Sequence, residues 1–191
     1  MRLTQSITIE SLNESGCDEF FLYLNDHRSD NGTEDMGYFM PLSKSESRFP
    51  SDKEQSFRVG LGVSVGSCGW RRAWVARTAN HQIVGHVDLR SHPVRFAEHR
   101  CLLGMGVERH HRRLGLGTLL LAHATDWAMA NTRLEWLDLQ VLSTNAPATR
   151  LYLQAGFTMV GEMVDMFKID GRSFAFTTMT KRLRADQHGD A

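Results

Sequence analysis

Residues 101–118, CLLGMGVERHHRRLGLGT, join an apolar strand to a helix through a turn that is rich in arginine, histidine and glycine. The apolar run 101–107 predicts the strand. Residues 115–131 predict the helix, because apolar side chains recur there at helical spacing: Leu116, Leu119, Leu120, Ala124 and Trp127. A helix N-terminus carries unpaired backbone N–H groups and the positive end of the helix dipole. The turn therefore predicts a site for an anion such as a phosphate.

The side chains of the turn fit this interpretation. Gly115 and Gly117 carry no side chain that would keep an anion away from the backbone. Arg112 and Arg113 add positive charge at the end of the helix where it opposes the dipole, which is unfavourable unless an anion is present. A solvated basic turn, a metal site and a nucleic-acid patch are the alternatives at this point.

Two nucleotide-binding motifs and a metal site find little support. The glycine pair lacks the third glycine of a dinucleotide fingerprint, since Leu120 stands there, and the Gly-Lys-Ser/Thr of a nucleotide-triphosphate loop is missing. His110 and His111 are adjacent, so their two rings do not easily reach one metal ion. None of the nine histidines forms a His-x-x-x-His pair. We therefore expect no metal.

The composition is that of one balanced globular chain. Lys plus Arg and Asp plus Glu are both 22 in 191 residues, so nucleic acid is not an expected partner. No apolar run resembles a signal peptide or a membrane-spanning helix. The three cysteines are odd in number and widely spaced, which is typical of free thiols in a reducing compartment. We expect a cytoplasmic protein without a membrane partner.

The first half of the chain predicts a strand, two helices and a pair of strands. The strand covers residues 2–10, and the helix of residues 11–30 places Phe20, Phe21 and Leu24 on one side. An irregular stretch follows at 30–50. The next helix is predicted to begin with Ser51 as its N-cap, since Glu54 three residues later completes a capping box. The pair of strands, 72–78 and 82–92, is joined at Ala79–Asn80.

The second half alternates strands and helices and closes with a hairpin. In the strand 135–141 the residues Leu137, Leu139 and Val141 share one face. Asn145 predicts an N-cap and Gly156 a helix end. Asp170–Gly171 between two strand-like runs predicts the hairpin.

This order predicts an α+β fold with a central mixed sheet of six to seven strands and about four flanking helices. We expect one domain over residues 1–183. Residues 184–191 are expected to form a flexible tail.

Two motifs resemble the GNAT superfamily of N-acetyltransferases. The pattern Val107-x-x-x-x-Arg112-x-x-Gly115-x-Gly117 resembles the acetyl-CoA signature of that family. Residues 139–157, LQVLSTNAPATRLYLQAGF, resemble its second motif, a strand followed by an asparagine and a helix. The resemblance covers about residues 70–183 and implies a single GNAT-like domain.

The sequence departs from the family pattern at two places in the turn. Arg109 stands where the family usually has proline, and Arg113 stands where it usually has glycine. These changes are expected to make the turn stiffer and more basic, and to weaken one backbone contact to phosphate.

The resemblance implies an acetyl-CoA-dependent N-acetyltransferase that uses no metal. An acetyl group would pass to a primary amine of a small molecule or peptide, which attacks the thioester directly. Dimers are frequent among similar proteins, so a homodimer is a further expectation. The alternative is a non-catalytic acyl-CoA-binding or regulatory domain on the same scaffold, although such a domain would not need to keep Tyr152, Asn145, Gly115 and Gly117 together.

The resemblance also implies residue roles. Tyr152 would protonate the departing thiolate as a general acid. The backbone of Met105 and Val107 would pair with the pantetheine arm, which Asn145 would help to hold. The pyrophosphate would lie in a cradle formed by Arg112, Arg113, Leu114, Gly115, Leu116, Gly117 and Thr118.

The sequence leaves the general base unassigned. Gln140 stands where ribosomal-protein acetyltransferases that resemble this chain carry a glutamate, so that position cannot supply a base. For His86 and Asp88, which share one face of a strand, and for Glu108 at the end of the next strand, a structural or merely exposed role is favoured over that of a base. Candidate wall residues of the acceptor pocket are Tyr38, Phe39, Glu162 and Asp165.

Overall fold

The computed structural model describes residues 6–131 and 133–184, with eleven main elements in the order that the sequence predicts. They are β1 (Ile7–Ser11), α1 (Cys17–Ser29), α2 (Ser51–Gly62), β2 (Arg71–Thr78), β3 (Ile83–Ser91), β4 (Arg100–Val107), α3 (Leu116–Asn131), β5 (Trp136–Leu142), α4 (Ala146–Gln154), β6 (Thr158–Ile169) and β7 (Arg172–Arg182). Most of the predicted tail, residues 185–191, and residues 2–5 of the predicted first strand lie outside the described residues.

The seven strands form one mixed sheet in the order β1-β2-β3-β4-β5-β7-β6. Strands β4 and β5 run parallel, and every other neighbouring pair is antiparallel. A mixed seven-stranded sheet with four α-helices in the described part of the chain confirms the predicted fold class.

The parallel pair separates soon after it begins. Residues 100–102 of β4 pair with residues 136–138 of β5, and the register between the two strands ends there. Strand β4 continues beside β3 as far as Val107, and β5 continues beside β7 as far as Leu142. The two strands therefore diverge, and a wedge-shaped gap opens in the middle of the sheet.

Apolar side chains cover both faces of the sheet. Helix α3 and the inner face of α4 pack on one face in the larger core, which includes Trp70, Leu89, Leu120, Leu137 and Tyr152. Helices α1 and α2 pack on the other face around Phe20, Phe21 and Phe57. The gap between β4 and β5 thus lies between two layers of helices.

Leu119 shares the helical spacing that predicts α3, but it does not belong to the buried stripe of the helix. Its side chain is 48% exposed, whereas Leu116, Leu120 and Leu121 are buried. With a rotation of about 100° per residue, Leu119 lies just outside the arc that these side chains occupy. Helical spacing alone therefore predicts the helix but does not define how wide its buried arc is.

Helix α4 is delimited as the sequence predicts. The Asn145 side-chain oxygen accepts a hydrogen bond from the backbone N–H of Ala148 at 3.3 Å. Pro147 lies in the first turn, and Gly156 after the helix has a positive φ of 86°. The N-cap, the proline and the terminal glycine thus all lie where the sequence places them.

The start of α2 differs from the predicted capping box. Pro50, not Ser51, is the N-cap residue, and no side chain caps this helix. The Pro50 carbonyl accepts the backbone N–H of Glu54 at 3.1 Å, so the helix begins one residue earlier than the capping box requires. Proline has a fixed φ and an extended ψ here, which allows it to lead into a helix without a side-chain cap.

The irregular segment 30–50 is attached to the tip of the closing hairpin. Asp170 and Gly171 both have positive φ, 47° and 76°, as the Asp-Gly signal predicts. The Tyr38 hydroxyl donates to Asp170 Oδ2 at 2.6 Å, and the Lys44 backbone N–H donates to the same oxygen at 3.0 Å. The Tyr38 ring also packs on Phe174, with centroids 5.0 Å apart. One exposed carboxylate therefore holds two points of this segment.

Replacing Asp170 with glycine is expected to loosen the segment without unfolding the protein. Asp170→Gly keeps the positive φ and removes the carboxylate that binds Tyr38 and Lys44. Amide hydrogen exchange should accelerate in residues 38–47 while exchange in β3 and β4 stays unchanged. Asp165→Gly is the matched control, because Asp165 also has a positive φ (59°) but contacts Lys168 on its own strand. Equal exchange in both variants would contradict the proposed attachment.

Candidate active site

The edge of β4 that faces the gap has unpaired backbone groups. Glu108 donates its backbone N–H to Val84 on β3 at 2.9 Å, and backbone groups alternate in direction along a strand. Met105 and Val107 therefore direct their N–H and C=O groups toward the gap. Arg112 Nε donates to the Val107 carbonyl at 2.8 Å, so within the described residues that carbonyl is satisfied. The remaining groups can pair with an extended ligand that carries amides.

The N-terminus of α3 closes the wide end of the gap. Gly115 has a φ of 93°, and a Cβ there would meet no described atom within 4 Å. At Gly117 a Cβ would lie 3.1 Å from Leu151 Cδ2 and 3.5 Å from Met105 Cε. Gly115 therefore leaves open space above the turn, and Gly117 allows α3 to approach α4 and β4 closely. Arg113, at the position where a glycine was expected from the resemblance, has a φ of 60°.

Two of the three arginines of the turn are engaged with the end of α1. Arg109 binds Asp30, with Nε 3.1 Å from Oδ2, and also contacts Asp26 at 3.1 Å. Arg112 NH2 lies 3.5 Å from Asp30 Oδ2, in addition to its bond with Val107. The positive charge of the turn thus has carboxylate partners within the chain, and it does not by itself require a bound anion. Arg109 and Arg113 are exposed, whereas Arg112 is half-buried.

Glu108 caps the short turn that leads away from β4. Its carboxylate accepts the backbone N–H of His110 at 2.9 Å and bonds His111 Nδ1 at 2.7 Å. Burial raises the pKa of Glu108, but the hydrogen bonds from His111 and His110 outweigh it and the net shift is downward. Glu108 is therefore engaged in the turn, while the His110 side chain is 82% exposed.

Tyr152 lies on the buried face of α4, on the same side of the sheet as α3. Its side chain is 8% exposed, and its ring contacts Phe157 with centroids 5.7 Å apart. Burial raises the pKa of Tyr152 to about 12, so the phenol keeps its proton at neutral pH. Among the described residues no side chain or backbone group bonds to the hydroxyl, which is therefore available to a ligand.

Asn145 lies just after the end of β5, on the β5 side of the gap. Its backbone N–H donates to the Leu142 carbonyl at 2.8 Å, and its side-chain oxygen caps α4. These bonds fix the side chain and leave the amide Nδ2 without a partner in the described part of the chain. Asn145 thus has one structural role and one free donor.

On the α1 side of the sheet, two glycines of β4 make room for polar side chains. A Cβ at Gly106 would lie 2.5 Å from His27 Nε2 and 2.6 Å from His86 Cε1. A Cβ at Gly104 would lie 2.8 Å from Asp88 Oδ1. Any other residue at these positions would displace the imidazoles or the carboxylate. The alternating glycines of CLLGMGV were the sequence signal for this close approach, since glycine inside a strand marks such contacts.

Sequence reasoning missed the contribution of α1 to this cluster. The Tyr23 hydroxyl lies 3.1 Å from His86 Nδ1, and the His27 ring meets His86 edge to face at 5.8 Å. His27 is 7% exposed, and its Nδ1 is buried without a hydrogen-bond partner. The spacing of Tyr23 and His27, four residues apart on a helix face, is the signal that could have identified the pair.

The electrostatic environment keeps both imidazoles neutral. Burial lowers the pKa of His86 to about 4. Burial also lowers the pKa of His27, and nearby His86, Arg112 and Arg28 add to this effect. Burial raises the pKa of the Tyr23 hydroxyl. At neutral pH the three groups are therefore uncharged.

Asp88 is ionised and engaged in ion pairs. It binds Arg71 at 2.5 Å and Arg90 at 3.1 Å. Burial alone would raise the pKa of Asp88, but the two guanidinium groups outweigh it and lower the pKa. A carboxylate held in this way is a poor proton acceptor.

Gln140, which stands where a glutamate base was considered, is exposed on β5.

The four candidate wall residues do not form one surface. The Phe39 ring packs on His27 at 5.3 Å, and Tyr38 lies against the hairpin. Glu162 accepts a bond from Thr177 at 3.4 Å, whereas Asp165 contacts Lys168 at 2.9 Å on the exposed side of β6. Of the four, Phe39 lies closest to the imidazole cluster.

Residues 6–131 and 133–184 contain neither a membrane-spanning helix nor a group of metal ligands. No helix there has the length and apolar character needed to cross a bilayer. No three His, Cys, Asp or Glu side chains in those residues are grouped as ligands of a metal ion.

Solved structures with this fold come from several bacteria. An acetyltransferase of the GNAT family from Streptococcus pneumoniae has a TM-score of 0.76 at 23% identity, with 93% of this chain and 99% of that chain covered. YncA of Salmonella typhimurium, solved with its cofactor acetyl-CoA, has a TM-score of 0.74 at 19% identity, with 97% and 98% covered. A spermidine N-acetyltransferase from Vibrio cholerae in complex with CoA and spermine has a TM-score of 0.68 at 20% identity, with 93% and 95% covered. At these identities the likeness shows the fold alone.

The family assignment comes from the sequence. No curated protein matches the chain significantly. The acetyltransferase (GNAT) family model matches residues 43–157, which is more than half of the chain and includes β4, the turn, α3 and α4. The chain therefore belongs to the GNAT family of N-acetyltransferases.

Proposed function

We propose that this protein transfers the acetyl group of acetyl-CoA to a primary amine of a small molecule or peptide, by direct attack of the amine on the thioester. The observation that carries this proposal is the gap between β4 and β5. An unpaired strand edge lies beside the helix N-terminus of α3 there, and the buried Tyr152, which keeps its proton, belongs to the core on the same face of the sheet as α3.

The residues around the gap fit acetyl-CoA, which supplies the activated acetyl group. Its pantetheine arm carries amides, and the gap-facing backbone groups of Met105 and the backbone N–H of Val107 can pair with them as an added strand does. Asn145 Nδ2 is a further donor at the same end of the gap. The backbone N–H groups of residues 112–118 at the start of α3 would hold the pyrophosphate.

The arginines of the turn then have different roles. Arg112 would shape the turn by bonding the Val107 carbonyl and pairing with Asp30, and it would act on the pyrophosphate chiefly through its backbone. Arg113, which is exposed and beside the helix start, would supply the mobile charge. This division differs from the role that the resemblance implies, in which both side chains lie near the phosphates.

Tyr152 would act as the general acid. Its raised pKa keeps the proton on the phenol until a strong base, the departing thiolate, develops beside it. On the opposite side of the reacting carbonyl, a gap-facing N–H of Met105 or Val107 would stabilise the developing negative charge on oxygen. Both contributions come from rigid elements, which favours pre-organisation.

The direct test is release of free CoA from acetyl-CoA in the presence of candidate amines. The panel should include small amines, polyamines such as spermine, amino acids, and peptides with free N-termini. At least one class should release CoA in amounts that match the acetylated product. Tight acetyl-CoA binding with no transfer to any acceptor would instead support the non-catalytic acyl-CoA-binding domain.

Acetyl-CoA is expected to stabilise the folded protein against heat. A 100-fold excess over the dissociation constant adds roughly 2.7 kcal/mol. For a chain of this length that corresponds to a rise in Tm on the order of 5–10 °C. Pantetheine, which lacks the pyrophosphate, should give a smaller rise at the same concentration, and differential scanning fluorimetry measures both. The absence of any shift with acetyl-CoA would rule out the proposed site.

Tyr152→Phe is expected to lower kcat on the order of 10²-fold while acetyl-CoA binding stays nearly unchanged. The substitution keeps the ring that packs on Phe157 and removes only the hydroxyl. The thermal shift with acetyl-CoA serves as the control for binding and folding. In the wild-type protein kcat should hold steady up to about pH 10 and decline only as Tyr152 approaches its pKa of about 12. Unchanged turnover in the variant would remove the general-acid role.

A further inference from the structure

We propose that His27 is the proton acceptor for the attacking amine and that His86, held by Tyr23, positions it. This inference rests on the proposed function and deepens it, since it supplies the base that Gln140 cannot provide. It concerns the side of the sheet that faces α1, opposite the side where Tyr152 lies.

The first argument is position. Gly106 lies between Met105 and Val107, the two residues whose backbone groups face the gap. His27 Nε2 would be 2.5 Å from a Cβ at Gly106, so the imidazole lies directly against the strand at the centre of the proposed reaction. Helices α3 and α4 cover the other face, where the start of α3 would hold the cofactor. An amine that meets the thioester from the α1 side therefore arrives beside His27.

The second argument is the unsatisfied nitrogen. His27 is 7% exposed, and its Nδ1 has no hydrogen-bond partner. A buried polar atom without a partner is unfavourable and uncommon in folded proteins. In a neutral imidazole one nitrogen carries the proton and the other is bare, so each tautomer offers a nitrogen that can accept a proton.

The third argument is the fixed geometry of the pair. His86 bonds the Tyr23 hydroxyl at 3.1 Å and meets His27 edge to face at 5.8 Å. Tyr23 and His27 also stack, with an interplanar angle of 13°. The Phe39 ring also contacts His27, with centroids 5.3 Å apart. The ring of His27 is thus held by three neighbouring rings, which pre-organises its nitrogen for proton transfer.

The surrounding charges favour neutral imidazoles. The ionisable groups that surround the two rings come from α1, β2, β3 and the turn after β4: Tyr23, Arg28, Arg71, Asp88, Glu108, Arg109 and Arg112. Burial is the largest cause of the lowered pKa of each imidazole, and the arginines add to it. The neutral form is the one that accepts a proton, and it persists below pH 7. Because a lowered pKa also makes the imidazole a weaker base, the proton passes to His27 as the N–C bond forms and the amine nitrogen becomes acidic.

The proton balance is complete without a further reactant. The amine nitrogen forms a bond with the acetyl carbon, and the bond between that carbon and sulfur breaks. The amine proton passes to His27, and Tyr152 donates its proton to the departing sulfur. The buried imidazolium then returns its proton to solvent and Tyr152 takes one up, so both groups are restored after each turnover.

His27→Gln is expected to lower kcat on the order of 10²-fold while the thermal shift with acetyl-CoA is retained. Between about pH 6 and pH 8, kcat of the variant should rise about tenfold per pH unit, because hydroxide must replace the lost base. The wild-type profile should be nearly flat in kcat over the same range. In His27→Ala, added imidazole should restore part of the rate.

His110→Gln is the matched control, since that side chain is 82% exposed and lies outside the cluster. It should leave both kcat and its pH profile unchanged. If His27→Gln does not fold, Tyr23→Phe keeps the ring and removes the hydroxyl that holds His86, and it should lower kcat several-fold.

The outcomes separate the two proposals. Wild-type protein that binds acetyl-CoA but acetylates no amine would overturn the proposed function and the base with it. An active wild-type protein and an equally active His27→Gln variant with the same pH profile would overturn only the role of His27. If Tyr23→Phe is used instead and keeps the kcat and pH dependence of the wild-type protein, that result would also overturn only the role of His27.

Discussion

The separation of β4 from β5 is the constraint on which the rest of the site depends. A strand inside a sheet normally pairs on both edges, and an unpaired edge away from water is costly. Here the pairing stops after residues 100–102, while each strand remains bonded to its other neighbour. The gap therefore persists without collapse of the sheet, and the helices that follow the two strands both begin at its open end.

The two faces of the gap differ in chemistry. The α3 and α4 side is lined mainly by apolar side chains, and its polar groups include the helix start, Asn145 and the Tyr152 hydroxyl. The α1 side contains two imidazoles, a phenol and an ionised carboxylate within the sheet–helix interface. Glycines at alternate positions of β4 make this arrangement possible, because they leave the space that these polar groups fill. A general acid and a general base on opposite faces would not compete for the same proton.

Local signals in the sequence predicted most of the fold, and long-range contacts account for what it missed. The Asn145 cap, the Gly156 helix end and the Asp170–Gly171 turn each depend on a few neighbouring residues, and all three are confirmed. The partners of Arg112 and the packing of His27 against Gly106 join residues about 80 positions apart, which no local pattern encodes. The capping box at Ser51 failed because the preceding proline already satisfies the geometry of the helix start.

Helix α1 contacts both halves of the site. Asp26 in its last turn and Asp30 directly after it hold the turn before α3 through Arg109 and Arg112. The inner face of α1 presents His27 to β4. Helix α1 is thus attached both to the turn that would meet the phosphates and to the imidazole that would meet the acceptor. A shift of α1 would move both together. Binding of the cofactor phosphates at the turn would therefore be coupled to the alignment of His27 with the acceptor amine.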